Sequence, residues 1–364
     1  MNESEEPESF DKAELQLEES KIDEIYNLVS QQFQILDYYM EHGTLTFHVQ
    51  TDENSKKAFL KLLKNLESLG LIPILRRERG RDILRIIKKP PTKKSNVMIN
   101  LALFLATLAT TFITGYMIST RYKGLDPVFG GVTFMVTIMA ILGVHESAHK
   151  LAANKHGIEA TLPYFIPAPP QLGIGTFGAV IMQKSLPPNR DALFDVGASG
   201  PIAGFIVSLA AFLLGLPHSY YSVPSQADVV IPAPILLRLV WPYLLPPSPP
   251  GHVLNLHPVA QAGWIGLIVT MLNLLPVGTL DGGHVVESIF KGKGRTLFLI
   301  ISVSLLAFTS LWLMIIFVLL FSAYKHPGPL DNVSEISTGR KILAIIVLFI
   351  FVISLLSVPM GIFV

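Results

Sequence analysis

The chain has 364 residues, of which 50% are hydrophobic and only 15% are charged, and its formal net charge is +1. Average soluble chains carry about 25% charged residues, so this composition indicates a membrane protein, and the small net charge gives no basis for nucleic-acid binding. The chain contains no cysteine, which excludes disulfides, thiolate metal ligands and a cysteine nucleophile.

The first 90 residues are the charge-rich part of the chain. Residues 1–17 are acidic and lack a basic stretch followed by an apolar run, so we expect a disordered tail and no cleavable targeting peptide. Residues 18–90 predict a small α+β soluble domain on the cytosolic side, which contains no catalytic constellation. Its role is therefore either regulatory or substrate-recruiting, or purely structural. The hydrophobic periods predict a helix from Ile22 to about Tyr39, a strand over 44–50, a helix over 55–69, and strands over 71–75 and 81–87.

Long apolar runs dominate the rest of the chain, residues 91–364, which we predict to be the transmembrane domain. A span needs about 20 apolar residues. Six spans leave both termini on one side, and the distribution of Lys and Arg in the loops predicts that this side is the cytosol, with the protein in the cell membrane. The fold class is therefore a polytopic α-helical membrane protein with about six transmembrane helices. The candidate spans are 97–119, 130–153, 192–216, 257–277, 296–323 and 341–363.

Two apolar segments are too rich in proline and glycine to be spans. Residues 161–184 cannot form a helix. Irregular backbone at membrane depth persists only where it is buried in protein or lines a wet cavity. We therefore predict a membrane-embedded β-hairpin or re-entrant loop beside the active site, with an apolar surface loop as the alternative. Residues 229–245 are interrupted by prolines in the same way and are predicted to lie in the membrane interface as a flap.

The span over 130–153 contains His145-Glu146-Ser147-Ala148-His149. Ionisable side chains at bilayer depth cost about 2.5–3.5 kcal/mol each on insertion scales, so this cluster needs a functional reason. Residues four apart share a helix face, so His145 and His149 can bind one metal ion. Glu146 would then lie beside the ion, where a base can deprotonate water. A chance motif with solvated histidines is disfavoured by the apolar flanks.

Two histidines leave the proposed ion short of a ligand, because catalytic zinc usually takes three protein ligands and a water. The candidates for the third ligand are Asp281, His284 and His156. Asp281 is preferred because it follows an apolar run, where proline and glycine break the helix and a carboxylate offsets the charge of the ion. The alternative for Asp281 is an ordinary turn aspartate before two glycines.

The motifs together resemble the site-2 protease family of intramembrane zinc metalloproteases, most closely its archaeal, cyanobacterial and plastid branch with a soluble N-terminal domain. They are HESAH at 145–149, PYFIPAP with GTFGAVI in the predicted hairpin, and NLLPVGTLDGGH at 273–284. The resemblance covers about residues 130–290, which would be the catalytic core.

The resemblance implies one zinc ion per chain, held by His145, His149 and Asp281. It implies that Glu146 is the general base and that Asn273 helps to polarise the scissile carbonyl or to hold the substrate strand. The small residues around Gly197, Gly200 and Gly204 are, in our interpretation, a helix-packing surface only.

The expected function is hydrolysis of peptide bonds in or near transmembrane segments of membrane proteins, within the lipid bilayer. Such proteolysis would serve regulated signalling or the clearance of signal peptides. The spans 296–323 and 341–363 would be gate or scaffold helices. One alternative is a non-proteolytic, metal-containing membrane protein that binds single-span partners. Another is a metal-ion transporter, which would need more ionisable residues along a path through the other spans.

Overall fold

A computed structural model describes residues 19–92, 95–223, 230–291, 294–307, 314–323, 327–355 and 357–363. The predicted disordered tail, residues 1–17, lies outside the described residues. The chain divides into two compact units. The first unit comprises Met1–Lys93, Leu186–Arg190 and Gly328–Ile336, and the second comprises Lys94–Ser185, Asp191–Pro327 and Ser337–Val364.

The first unit is a four-stranded antiparallel sheet with the order β1-β2-β4-β3 and two helices. The apolar face of α2 supplies Phe59, Leu62 and Leu66, which are buried with Phe47 and Leu84 of the sheet. This pattern follows from the helical spacing of three and four residues in α2 and the alternation in β2. The elements are α1 (Glu19–Ser30), β1 (Gln34–Glu41), β2 (Thr44–Gln50), α2 (Ser55–Glu67), β3 (Leu71–Glu78) and β4 (Arg81–Lys88).

The predicted helix from Ile22 to about Tyr39 was wrong in its second half, where the chain forms β1. His42 and Gly43 both have positive φ, 49° and 76°, which is the backbone of a two-residue hairpin turn. This turn folds β1 back onto β2, and Tyr38 stacks on Phe47 with ring centroids 5.9 Å apart. Pairing with a neighbouring strand therefore overrides the helical period in this segment.

Two remote segments of the chain complete the first unit. The N–H of Leu75 in β3 donates to the carbonyl of Leu330 at 2.9 Å, and the N–H of Asn332 donates to the carbonyl of Leu75 at 3.1 Å. Leu330 and Val333 are buried in the core of this unit. The N–H of Leu330 in turn donates to the carbonyl of Pro187 at 2.8 Å. The free edge of β3 is thus paired with a segment from near the C-terminus.

The second unit contains three helices that are long and apolar enough to cross a membrane: α3 (Val97–Thr120), α4 (Pro127–Lys155) and α5 (Arg190–Gly215), which continues through a 3₁₀ turn to His218. They coincide with the predicted spans 97–119, 130–153 and 192–216 and confirm that these segments are long apolar helices. The Asp126 side chain accepts from the N–H of Phe129 at 2.8 Å and caps α4. A Cβ on Gly115 would lie 3.1 Å from the Cα of Gly131, so these glycines allow α3 and α4 to pack closely.

The remaining predicted spans correspond to shorter elements, and the count of six stays a prediction. The run 257–277 holds one helix of 16 residues, and 296–323 holds two helices on either side of residues outside the description. The prediction for 341–363 was wrong over its end, where Pro359 interrupts helix formation and β10 pairs with β8. The elements are β7 (Tyr220–Ser222), β8 (Val230–Pro234), α6 (Ile235–Leu244), β9 (Val253–Asn255), α7 (Pro258–Asn273), α8 (Asp281–Phe290), α9 (Arg295–Ala307), α10 (Met314–Ala323), α11 (Thr338–Leu355) and β10 (Ser357–Phe363).

The segment 161–184 is a β-hairpin, as its proline and glycine content predicted. The strands β5 (Tyr164–Pro167) and β6 (Thr176–Val180) pair antiparallel. At its tip, Gly175 has φ +76°, and a Cβ there would lie 2.8 Å from the carbonyl oxygen of Thr110 in α3. The tip of the hairpin therefore fits against α3 only with glycine at this position.

Candidate metal centre

Helix α4 carries three buried ionisable side chains near its C-terminal end. His145, Glu146 and His149 are only 4%, 3% and 5% exposed, and they follow a mostly apolar stretch of the same helix, residues 134–144. The four-residue spacing puts both imidazoles on one face, with their Nε2 atoms 3.0 Å apart. The two nitrogens are therefore close enough to bind one ion.

The connection from α7 to α8 brings Asp281 to the same place. Gly278 has φ +57°, a conformation that favours glycine, and it turns the chain after α7 ends. Asp281 is the first residue of α8. A Cβ on Gly282 would lie 2.1 Å from the carbonyl oxygen of Leu274. The glycine after Asp281 is thus needed for the first turn of α8 to lie against the preceding loop.

The three side chains form a triangle of donor atoms that fits a tetrahedral metal ion. Asp281 Oδ2 lies 3.3 Å from His145 Nε2 and 3.3 Å from His149 Nε2. Ligand atoms of a tetrahedral zinc ion lie about 3.3 Å apart, given bonds of about 2.0–2.2 Å. Among the described residues, this is the one group of three or more His, Cys, Asp or Glu side chains close enough to share an ion. The chemistry of the donor set, two imidazoles and a carboxylate, leaves a fourth corner for water.

Helix α5 fixes the orientation of His149. The Nδ1 of His149 lies 2.6 Å from the carbonyl oxygen of Val196, so Nδ1–H donates and Nε2 is left as the metal-binding nitrogen. Such a hydrogen bond from the second ring nitrogen is typical of histidines that bind metals. Residue type gives no signal for this contact, because it uses a backbone carbonyl.

Three glycines of α5 pack directly against the side chains of the centre. A Cβ on Gly197 would lie 2.6 Å from Cβ of His284, one on Gly204 would lie 2.9 Å from Nδ1 of His145, and one on Gly200 would lie 2.1 Å from Nε2 of His149. The glycine face was predicted to serve helix packing only. The structure shows that it also makes room for the histidines.

A cavity of about 150 Å³ opens at the centre. Its lining includes Glu146, Asn273 and Ile181 of the hairpin. The amide nitrogen of Asn273 lies 3.4 Å from Nε2 of His145. A buried carboxylate, an amide and the triangle of donor atoms thus face one small space.

The two other candidates for the third ligand lie outside the triangle. His284 lines the cavity but does not belong to the group of converging donor atoms. His156 is engaged elsewhere, because its Nε2 lies 2.8 Å from Oδ2 of Asp195. Asp195 also accepts from Nε of Arg340 at 2.7 Å. The sequence contains no local signal for this ion pair, because charged residues at helix ends are common.

The fold and the centre together define a class of protein: it has three helices long and apolar enough to cross a membrane, and an HExxH helix and a distant aspartate form its candidate metal site. The model for the family described as peptidase family M50 matches residues 133–317, which is half of this 364-residue chain. The chain belongs to this family. The match confirms the resemblance to site-2 proteases.

The chain is also similar to plant proteins. It is 31% identical over 237 residues to "Probable zinc metalloprotease EGY1, chloroplastic" of Arabidopsis thaliana, covering 61% of this chain and 42% of that protein. It is 31% identical over 248 residues to "Probable zinc metalloprotease EGY2, chloroplastic" of the same plant, covering 66% and 44%. The EGY1 protein of Oryza sativa subsp. japonica is 30% identical over 60% of this chain and 39% of its own length. The chain thus spans less than half the length of these relatives, and no solved structure matches it.

Proposed function

We propose that the protein is an intramembrane zinc metalloprotease that hydrolyses peptide bonds in or near transmembrane segments of membrane proteins. One observation carries the proposal: His145, His149 and Asp281 converge with 3.0–3.3 Å between their donor atoms, beside the buried Glu146. Membership of peptidase family M50 and the printed names of the plant relatives support hydrolysis and zinc. A purely structural metal site would have no use for the Glu146 carboxylate.

The proposal includes a division of labour along the chain. Residues 18–90 would be a soluble domain, and residues 91–364 the transmembrane metalloprotease domain with a catalytic core at about 130–290. The spans 296–323 and 341–363 would form a gate or scaffold. The distribution of Lys and Arg supports cytosolic termini. The proposed location in the cell membrane takes no support from the relatives, because their printed names include the word chloroplastic.

The residues of the centre have distinct proposed roles. His145, His149 and Asp281 would hold one zinc ion, which would act as a Lewis acid and lower the pKa of water to about 7. Glu146 would take the proton from the attacking water and later deliver it to the leaving amine. The Asn273 amide would donate to the oxyanion that develops on the scissile carbonyl.

Strand β6 is the proposed binding edge for the substrate. A transmembrane helix hides its carbonyls in its own hydrogen bonds and must be unwound before hydrolysis. Ala179, Val180 and Ile181 line the cavity beside Glu146. An extended substrate could pair with this edge and be aligned by its main chain.

Strand addition predicts a period of two in cross-linking. The chain has no cysteine, so a single Val180→Cys thiol can be paired with single cysteines walked along a substrate, in a Glu146→Gln background. Cross-links should be strongest at alternate substrate positions, because successive side chains of a strand point to opposite faces. Val136→Cys, which is 56% exposed on α4, is the matched control and should give few cross-links. A period of three to four would contradict strand addition.

Removal of Asp281 should cost the protein its zinc. Asp281→Ala should weaken zinc binding by more than the roughly 10- to 100-fold loss that follows removal of an outer-shell partner. His284→Ala, which changes the same cavity without changing the triangle, should keep one zinc per chain by metal analysis. Full zinc content in Asp281→Ala, together with loss of zinc from His284→Ala, would show that His284 and not Asp281 is the third zinc ligand.

The proposed function is tested with the purified full chain in detergent and a panel of single-span substrates. Cleavage that a zinc chelator abolishes, and that added zinc restores, supports the protease. Chelator-insensitive cleavage, or stable binding of the substrates without cleavage, would overturn it. The latter result would favour the non-proteolytic alternative.

A further inference from the structure

The hairpin ribbon contains an irregularity beside the metal centre. Tyr164 pairs with Val180, and the next bridge along the ribbon joins Ala160 with Gln183. Three residues, 161–163, therefore stand on one strand opposite two on the other. This is the geometry of a β-bulge, which interrupts the ladder of backbone hydrogen bonds and commonly lies next to active sites.

The carbonyl groups of the bulge are bonded by side chains of two helices. Asn100 of α3, which is 6% exposed, donates through Nδ2 to the carbonyls of Leu162 at 3.1 Å and Pro163 at 2.9 Å. Lys150 of α4 lies with its Nζ 3.3 Å from the carbonyl of Thr161. Three successive carbonyls thus have donors that are not part of the ribbon. An unpaired carbonyl in an apolar setting would cost several kcal/mol, about 4–8 on the water-to-cyclohexane scale.

The bulge that Asn100 bonds lies next to the strand that borders the cavity. Pro163 is adjacent to Tyr164, which pairs with Val180 of β6. Ala179, Val180 and Ile181 line the cavity together with Glu146. A change at Asn100 therefore reaches the site only through the hairpin.

Helix α3 holds the hairpin at two further points. The ring of Phe104 packs edge-on against Phe165 of β5, with centroids 5.3 Å apart. At the tip, the hydroxyl of Thr110 donates to the carbonyl of Gly175 at 2.7 Å. Together with Asn100, these contacts run along one face of α3. They fix β5 to the helix and leave β6 beside the cavity.

We propose that Asn100 is a positioning residue for proteolysis: its two hydrogen bonds hold the bulge in register, so that the β6 edge beside the cavity presents one substrate bond to the centre. This inference rests on the proposed function. Asn100 is not a catalytic residue, because it touches neither the cavity nor the donor atoms of the metal site.

The test compares Asn100→Leu, which keeps most of the volume and removes the donors, with Thr107→Val. Thr107 is fully buried in α3, and its hydroxyl bonds to its own helix at Leu103. Asn100→Leu should keep one zinc per chain, lose up to about 100-fold in kcat/KM through misplacement of the reacting groups, and yield products cut at neighbouring bonds by mass spectrometry. Thr107→Val should cleave at the wild-type bond with near wild-type kcat/KM.

A rescue experiment uses the absence of cysteine in the chain. The double variant Asn100→Cys/Pro163→Cys should behave like Asn100→Leu until a short bifunctional thiol reagent bridges the two residues, and should then recover cleavage at the single wild-type bond. Wild-type cleavage by Asn100→Leu, or a loss of zinc shared with Thr107→Val, would overturn the inference. If the wild-type chain cleaves nothing, the protease proposal fails. The contact of Asn100 with the bulge is then supported if the reagent bridges Asn100→Cys/Pro163→Cys efficiently but not Thr107→Cys/Pro163→Cys. Equal bridging in both double variants would overturn it.

Discussion

Glu146→Gln should lower kcat for cleavage of a single-span substrate by about 10²- to 10⁴-fold, the contribution typical of general acid–base catalysis. Glutamine has nearly the shape of glutamate and should therefore leave the packing of the buried site unchanged. It cannot take a proton from water. The metal triangle does not include residue 146, so the variant should retain one zinc ion per chain. Single-turnover cleavage and metal analysis on the same preparation measure both quantities.

Ser147→Ala is the matched control for this variant. Ser147 is the next residue of α4 and is exposed. Its replacement therefore controls for the effect of any substitution in this turn of the helix, without changing the buried centre. It should cleave at the wild-type rate. Wild-type cleavage by Glu146→Gln would remove the base assignment. Loss of zinc from Glu146→Gln would instead make Glu146 a metal ligand.

Gly200→Ala should abolish zinc binding and cleavage together. The added Cβ would lie 2.1 Å from Nε2 of His149 and 2.5 Å from two further ring atoms, which is about the distance at which zinc itself binds an imidazole nitrogen. The ring cannot stay in place beside this Cβ. Its Nδ1 is bonded to the Val196 carbonyl of the same helix, so any movement of the ring away from Gly200 breaks that hydrogen bond. His149 must therefore turn away from the triangle or α5 must move. Zinc titration of the purified variant measures the loss.

Gly143→Ala is the control for a methyl group added to a helix of the same unit. Gly143 lies in α4 two residues before His145, and a Cβ there would meet no atom within 4 Å. Alanine also favours a helix over glycine by about 1 kcal/mol. This variant should keep its zinc and its activity. Wild-type zinc affinity in Gly200→Ala would show that α5 can shift without cost, and that the close contact of Gly200 with the His149 ring is not required for zinc binding.

The features that could be predicted from the sequence are those with local signals. The apolar runs of α3, α4 and α5 and the spacing of His145 and His149 depend on neighbouring residues, and proline and glycine alone excluded a helix over 161–184. Asp281 was preferred because of its flanking residues, and it lies at the triangle. Each of these signals lies within one short segment, so it can be read without knowing which remote segments pack against it.

Other features depend on contacts that residue type does not record. The Val196 carbonyl that orients His149 could belong to any residue. Gly200 has the spacing of an ordinary packing surface, and its contact with an imidazole follows only from the position of α5. The strand at 34–41 has a helical period and is decided by its partner, β2. The donors of Asn100 find carbonyls 62 and 63 residues away.

The edge of β3 that pairs with Leu330 has a consequence for biosynthesis. A ribosome delivers β3 and its neighbours long before it delivers Leu330 and Val333, which fill part of their core. A nascent chain therefore carries an open strand edge and an incomplete apolar centre until residues 330–333 have been synthesised. Such edges invite association with other chains. We therefore expect the first unit to be most prone to association during this interval.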